Sequence, residues 1–264
     1  MNENVERIVR EVLKSSKYQT VCLQTVTYLA EKESRNRDRF KDQVKAVKNR
    51  LHQIGFAYFP GKDGYLCTLS RLEAAGADPD RFRETCREVM RCHSSSGERL
   101  NLLDEFYGKI LSGLPEIRNV ADIACGLNPL TFPWFGRSGF SVQAYDIFSD
   151  LIDFLAIFLK IAGIQGTAET RDCLLSPPDD EFDLALILKS MPCFERLDRK
   201  LALSLLDRLN AKYCVVSYPL RSLCGREKNM LTNYRAQFEK HVAGKNWLVK
   251  EIRFETELVF IIRK

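Results

Sequence analysis

The sequence predicts an α/β fold, a mostly parallel sheet preceded by an all-helical region, and three observations predict it. Apolar residues up to about position 113 recur at helical spacing. From Val120 onward short strand-like runs alternate with helical stretches, the pattern that builds a parallel sheet through crossovers. Between the first two runs lies a glycine loop, Asp122-Ile123-Ala124-Cys125-Gly126-Leu127-Asn128-Pro129, and the second run ends in an acid, Ser141-Val142-Gln143-Ala144-Tyr145-Asp146.

In the first region Phe40, Val44, Val47, Leu51 and Ile54 share one helical stripe, and Lys41, Lys45, Lys48 and His52 follow one residue later as a basic stripe. That stripe reads either as a solvated face or as a contact for RNA phosphates. Gly55, Pro60-Gly61 and Asp63-Gly64 mark a turn region. Asp78-Pro79 opens a further helix through Val89-Met90, with Pro79 suited to its first turn. The boundary expected from the change of pattern divides the chain into 1–113 and 114–264. Strands are expected at Val120–Ala124, Val142–Asp146, Thr167–Arg171, Phe182–Lys189, Tyr213–Tyr218, Trp247–Phe254 and Leu258–Ile262, with helices at Leu151–Ile161, Arg199–Leu209 and Arg226–Val242.

The glycine loop and the acid at the next strand end suggest a nucleoside cofactor, because glycine admits close backbone approach and the acid can accept from both ribose hydroxyls. A dinucleotide fingerprint wants three glycines and a clean helix start, which Pro129 interrupts. S-adenosylmethionine fits better. Strands with crossovers followed by a terminal hairpin joined at Glu255-Thr256-Glu257 match the class I S-adenosylmethionine-dependent methyltransferase fold, Rossmann-like and seven-stranded with an antiparallel last strand.

Bulk properties exclude other classes. A chain of 264 residues with 45% hydrophobic content can bury a full core. The greasy stretch Leu151–Leu159 is broken by Asp153 and ends at Lys160, so it reads as a buried helix and not a membrane span. Met1-Asn2-Glu3-Asn4 does not read as a signal peptide. Nine cysteines without a C-x-x-C pair argue against zinc and for a reducing, cytoplasmic compartment. The net charge of +5 is only mildly basic, but Lys32, Arg35, Arg37, Arg39, Lys41, Lys45, Lys48 and Arg50 crowd one stretch.

Several clusters stand together in order: His93-Ser94-Ser95-Ser96-Gly97-Glu98-Arg99-Leu100, the glycine loop through Leu130, Leu186-Ile187-Leu188-Lys189, and Ser217-Tyr218-Pro219-Leu220-Arg221-Ser222-Leu223-Cys224-Gly225-Arg226 followed by Met230 and Asn233-Tyr234. With Ser16-Lys17-Tyr18, Cys22, Thr25-Val26, Arg50-Leu51-His52 and Thr256-Glu257-Leu258, the chain resembles the aminoglycoside-resistance 16S rRNA methyltransferases of the Arm/Rmt group nearly end to end. The resemblance implies methyl transfer from S-adenosylmethionine to N7 of a guanine in the decoding A-site of 16S rRNA, leaving S-adenosylhomocysteine and removing aminoglycoside binding. It implies the 30S subunit as substrate and a monomer that needs no metal and no membrane. Residues 1–113 would then dock RNA and 114–264 would carry the chemistry. Guanine N7 offers its lone pair without deprotonation, so the lack of an obvious acid–base pair agrees with that reaction.

Roles follow from this resemblance and from position. Arg99 can pair with the methionine carboxylate, its alternative being an intrahelical partner for Glu98 or Asp104. Ala124 and Gly126 form the cofactor loop, and Asp146 with neighbouring Ile147 takes the ribose, unless Asp146 is a helix cap. Asp172 suits the adenine amino group with Cys173 beside it, or else caps a turn. His93 is assigned to the pocket rim. Lys189 is expected to be required for activity through a contact with the target nucleotide, the alternative being a snorkelling strand-end lysine. Arg221 and Arg226 are expected to clamp substrate, Arg226 close to the chemistry, and Lys41, Lys45 and Lys48 to meet rRNA phosphates. Gly97 stands where relatives commonly have a basic residue, Asn229 where they often have Gly, and Pro133-Trp134-Phe135 is bulky for the first sheet helix. Two rival functions are a small-molecule methyltransferase with a helical lid and a catalytically idle rRNA-binding assembly factor.

Overall fold

The computed structural model describes residues 2–56, 64–76, 78–91, 93–220 and 230–264. The chain begins with α1 (Glu3–Leu13), α2 (Leu23–Asn36) and α3 (Phe40–Leu51), the last running into a π-helical turn at His52–Phe56. Val44, Val47 and Leu51 are buried as the stripe requires, while Lys41 and Lys45 are exposed and Lys48 is half-buried. Next come α4 (Gly64–Ala75), α5 (Pro79–Arg91), the short α6 (Ser94–Gly97) and α7 (Leu103–Leu111). Asp78 starts α5 by accepting from the amides of Asp80 and Arg81 at 3.0 and 3.2 Å.

Seven strands follow: β1 (Asn119–Ile123), β2 (Ser141–Asp146), β3 (Gln165–Thr170), β4 (Phe182–Leu188), β5 (Ala211–Pro219), β6 (Leu248–Arg253) and β7 (Glu257–Arg263). Their order is β3-β2-β1-β4-β5-β7-β6. β7 inserts between β5 and β6 and runs antiparallel to both, and the remaining pairs are parallel. The sheet is therefore the class I methyltransferase sheet that the terminal strand pair predicted. Central β4 and β7 are almost wholly buried, whereas β3 and β6 are largely exposed edges. Reversal of strand order between β1 and β4 opens a crevice at their C-terminal ends.

α8 (Ser149–Ile161) carries the greasy stretch and buries Leu151, Ile152, Phe154, Leu155, Phe158 and Leu159. Phe82 of α5 stacks on Phe158 at 6.0 Å, so a helix of the first region packs on α8, which in turn lies against β2 and β3. α9 (Met191–Leu197) and α10 (Arg199–Arg208) flank the other side. α11 (Met230–Val242) lays Tyr234 on Tyr218 at 4.9 Å and Phe238 on Phe260 at 3.7 Å. No described helix is long and apolar enough to cross a membrane.

Behind β1 stands a 3-10 segment, Asn128–Trp134, where a parallel unit normally has an α-helix. Pro129 and Pro133 remove amide donors there, and the bulk of the segment is absorbed by the helices before the sheet. Trp134 donates to Asp104 at 3.0 Å and lies near the guanidinium groups of Arg83 and Arg87, 5.8 and 5.0 Å from its ring centre. Arg83 also donates to the Pro133 carbonyl at 3.0 Å.

Candidate active site

Each strand end at the crevice delivers a loop residue to one cavity of about 400 Å³. β1 supplies Ala124, Cys125 and Gly126; β2 supplies Asp146 and Ile147; β3 leads to Asp172 and Cys173; β4 leads to Lys189. His93 and Arg99 enter from the segment before α7, so every residue expected at the cofactor lines this cavity. Ile54 and Gly55 of the π-helical turn line it as well.

The glycine loop is pinned at both ends. Ala124 and Gly126 hold positive φ of 50° and 52°, a turn that costs a non-glycine residue and that Gly126 adopts freely. Cys125 donates its amide to the Tyr145 carbonyl at 2.9 Å, and Gly126 donates to Asp146 Oδ2 at 2.9 Å. Asp146 Oδ1 accepts from the Ile147 amide at 2.7 Å, so this acid braces the loop and does not cap α8. Burial pushes its pKa up to about 6, against the pull of those amides. His93 packs over Gly126, where an added Cβ would lie 3.6 Å from its Cε1. Its Nδ1 meets Ser96 Oγ at 3.0 Å. Burial, with the charges of Lys189 and Arg99, lowers its pKa to about 4 and keeps it neutral.

Arg99 has neither of the partners its helix offered. Glu98 pairs with Lys189, and Asp104 with Arg87. Arg99, 3% exposed, instead grips Glu257 at the start of β7, Nε to Oε2 at 3.0 Å and Nη2 to Oε1 at 2.6 Å, while Nη1 donates to Asn128 Oδ1 at 2.8 Å. Of the five guanidinium N–H groups three are engaged, which leaves one on each terminal nitrogen. Asn128 passes the contact on to Asp122 Oδ2 at 2.8 Å. Burial pushes Asp122 up to about 7.

Lys189 does not snorkel. It leaves β4 with φ of 58° and buries its side chain to 5% exposure. Nζ donates to the Ser95 carbonyl at 3.0 Å and to Glu98 Oε2 at 2.8 Å, with Glu257 Oε2 at 3.6 Å. Ser217 Oγ accepts from the Lys189 amide at 3.0 Å and donates to Glu257 Oε1. Burial works to raise the Glu257 pKa, but Arg99 and Lys189 hold it below its ordinary value. Sequence reasoning gives Glu257 and Ser217 no role, although both stand in motifs that carry the resemblance. The signal that could find Glu257 is a glutamate heading the otherwise apolar run Leu258–Ile262.

Asp172 caps a turn and also lines the cavity. Its Oδ1 caps the turn that follows by accepting from the Leu174 and Leu175 amides at 3.1 and 3.2 Å, yet its side chain lines the cavity beside Cys173. Arg221 and Arg226 lie outside the described residues; Pro219 and Met230, before and after them, line the cavity. Lys41, Lys45 and Lys48 are not part of it, although the helix that carries them continues into Ile54 and Gly55. Gly97 needs no glycine, since an added Cβ would make only ordinary contacts of 3.6 Å. Among the described residues no group of three or more His, Cys, Asp or Glu is placed to hold a metal ion.

A family model described as ribosomal RNA methyltransferase (FmrO) matches residues 14–261. A 16S rRNA (guanine(1405)-N(7))-methyltransferase of Micromonospora rosea is 33% identical, covering 100% of this chain and 98% of the relative. The solved structure of the 16S rRNA methylase RmtB superposes with a TM-score of 0.82 at 31% identity, covering both chains fully. That of the 16S rRNA methyltransferase RmtF in complex with S-adenosyl-L-homocysteine gives 0.84 at 25% identity, over 100% of this chain and 99% of that one. A matching family model over nearly the whole length, on a cavity assembled from that family's motifs, makes the chain a member of the FmrO family of ribosomal RNA methyltransferases.

Proposed function

We propose that this chain methylates N7 of guanine 1405 in the decoding A-site of 16S rRNA, within the 30S subunit, and thereby confers aminoglycoside resistance. The observation that carries this is full-length similarity to relatives named for that reaction, joined to a cavity where His93, Arg99, Gly126, Asp146 and Asp172 converge. The cofactor is S-adenosylmethionine, and when bound it supplies a methyl group activated by a sulfonium centre. The residues present fit it. Arg99 keeps two N–H groups for a carboxylate, Asp146 keeps acceptor capacity for ribose hydroxyls, and Asp172 with the Cys173 backbone suits an adenine edge.

Little else is asked of the protein. Guanine N7 attacks through an in-plane lone pair, so no residue has to take a proton, and the chain contributes alignment and exclusion of water. Lys189 serves that alignment by tying the 95–98 turn to the end of β4. Arg221 and Arg226 are assigned to the target nucleotide, and a base paired in rRNA must leave its stack to reach this crevice. The division into a docking region, 1–113, and a catalytic region, 114–264, belongs to the same proposal. So does action as a monomer in the cytoplasm.

Expression in a susceptible bacterium tests the function. Gentamicin and kanamycin resistance is expected, with 16S rRNA cleaved at a new N7-methylguanine after borohydride and aniline. Apramycin resistance with a modified adenine would overturn it.

A further inference from the structure

The cofactor cavity is braced from outside by the chain segment that opens α2. Val21 bridges Phe148 in antiparallel fashion, Cys22 donates its amide to the Ile147 carbonyl at 2.7 Å, and Ser149 donates to the Thr20 carbonyl at 2.8 Å. These bonds strap residues 20–22 across the loop that follows Asp146. In the first turn of α2 the strap delivers Thr25, 0% exposed, whose hydroxyl donates to Asp172 Oδ2 at 2.7 Å. The other oxygen of Asp172 is held by two amides. Farther along the same face of α2, Tyr28 and Lys32 fasten to Asp198 at 2.5 and 3.2 Å.

A carboxylate oxygen offers about two acceptor sites. With Oδ1 bound twice and Oδ2 bound once, the acceptor capacity left on Asp172 is fixed in direction by Thr25. We propose that Thr25 is a positioning residue for cofactor recognition: it orients Asp172 toward the exocyclic amino group of adenine, which makes α2 part of the cofactor site. This rests on reading Asp172 as the adenine acceptor. Thr25 is distant in sequence and enters the pocket only through the carboxylate it holds. An oriented acceptor favours adenine, which donates at that position, over hypoxanthine, which presents a carbonyl oxygen there.

Calorimetry on the full chain with S-adenosylhomocysteine and S-inosylhomocysteine tests this. Thr25→Val removes the hydroxyl at nearly constant shape, and about tenfold weaker S-adenosylhomocysteine binding is expected, with a comparable loss of preference over the inosine analogue. Thr25→Ser restores both, and Thr25→Ala repeats the deletion should the valine variant not fold. Tyr28→Phe, on the same helix face but bonded to Asp198 and not among the cavity-lining residues, is expected to lower the melting temperature and keep both affinities. Wild-type discrimination in Thr25→Val and Thr25→Ala, beside lost discrimination in Asp172→Asn, overturns the role of Thr25 alone. Wild-type discrimination in Asp172→Asn overturns the adenine reading beneath it.

Discussion

Glu257 is the residue on which most of the buried charge depends. It faces Arg99 and Lys189 and accepts from Ser217, all with its carboxylate wholly out of water. Such a group is stable only while its partners remain, because an unpaired buried charge costs far more than the pair contributes. Glu257→Gln is therefore expected to lower unfolding free energy by about 3 to 5 kcal/mol, measured by urea titration. It should also weaken S-adenosylhomocysteine binding by releasing the Arg99 fork, while Lys189→Met, which leaves the Arg99 pair intact, costs less on both counts. Asp146 gives the pH dependence. Its pKa of about 6 in the cofactor-free protein is raised by burial, and ribose hydroxyls donating to it favour the ionised form, so binding lowers that pKa. Affinity is then expected to be flat above about pH 7 and to fall as pH drops through 6, with proton release on binding near pH 6. Calorimetry in buffers of different ionisation enthalpy measures this, and zero release at pH 6 would remove Asp146 from the ribose.

Among the elements, the most exacting local geometry lies in β3. Gly166 has φ of 148°, and a Cβ there would sit 1.9 Å from the Val142 carbonyl oxygen of β2. Gly166→Ala is expected to cost about 2 kcal/mol or more by parting β2 from β3, the two strands whose ends carry Asp146 and lead to Asp172. Asp78→Ala, which removes a helix cap, should cost about 1 kcal/mol and leave cofactor affinity unchanged. The elements themselves were legible because each is written in local chemistry: Asp78-Pro79 for the start of α5, alternate apolar runs for the strands, the Gly126 turn for the cofactor loop. Even the altered first crossover was half-visible in Pro129 and Pro133. What filled its place was not, since Arg83 and Arg87 reach Trp134 only through tertiary packing. The same limit hid the partners of the site. Arg99 and Glu257 lie 158 positions apart, Thr25 and Asp172 147, and neither distance leaves a periodic trace.

At the scale of the whole molecule one apolar core runs from Val5 in α1 to Ile262 in β7, so the first helices are braced against the sheet. Charge is sorted on that frame. Arg37 and Arg50 are committed to Glu33 at 2.9 and 3.7 Å, and Lys32 to Asp198. Lys41 and Lys45 make no ion pair with the described residues and stand exposed on α3, the helix whose continuation reaches the cavity at Ile54 and Gly55. Crowded cations without local partners fit a phosphate surface, and this geometry would put rRNA backbone and target base on one continuous element. Reversing both charges, Lys41→Glu with Lys45→Glu, is expected to weaken 30S binding in a pelleting assay. It should also flatten the dependence of that binding on log salt by roughly 0.7 to 0.9 for each phosphate no longer neutralised. Cofactor affinity should not move, because neither residue lines the cavity. Unchanged binding at both low and high salt would make the stripe an ordinary solvated face and shift the docking surface to other cations of the helical region. A small-molecule methyltransferase would show no salt-dependent pelleting in any variant, so the wild-type curve alone separates that rival from an enzyme that works on the ribosomal subunit.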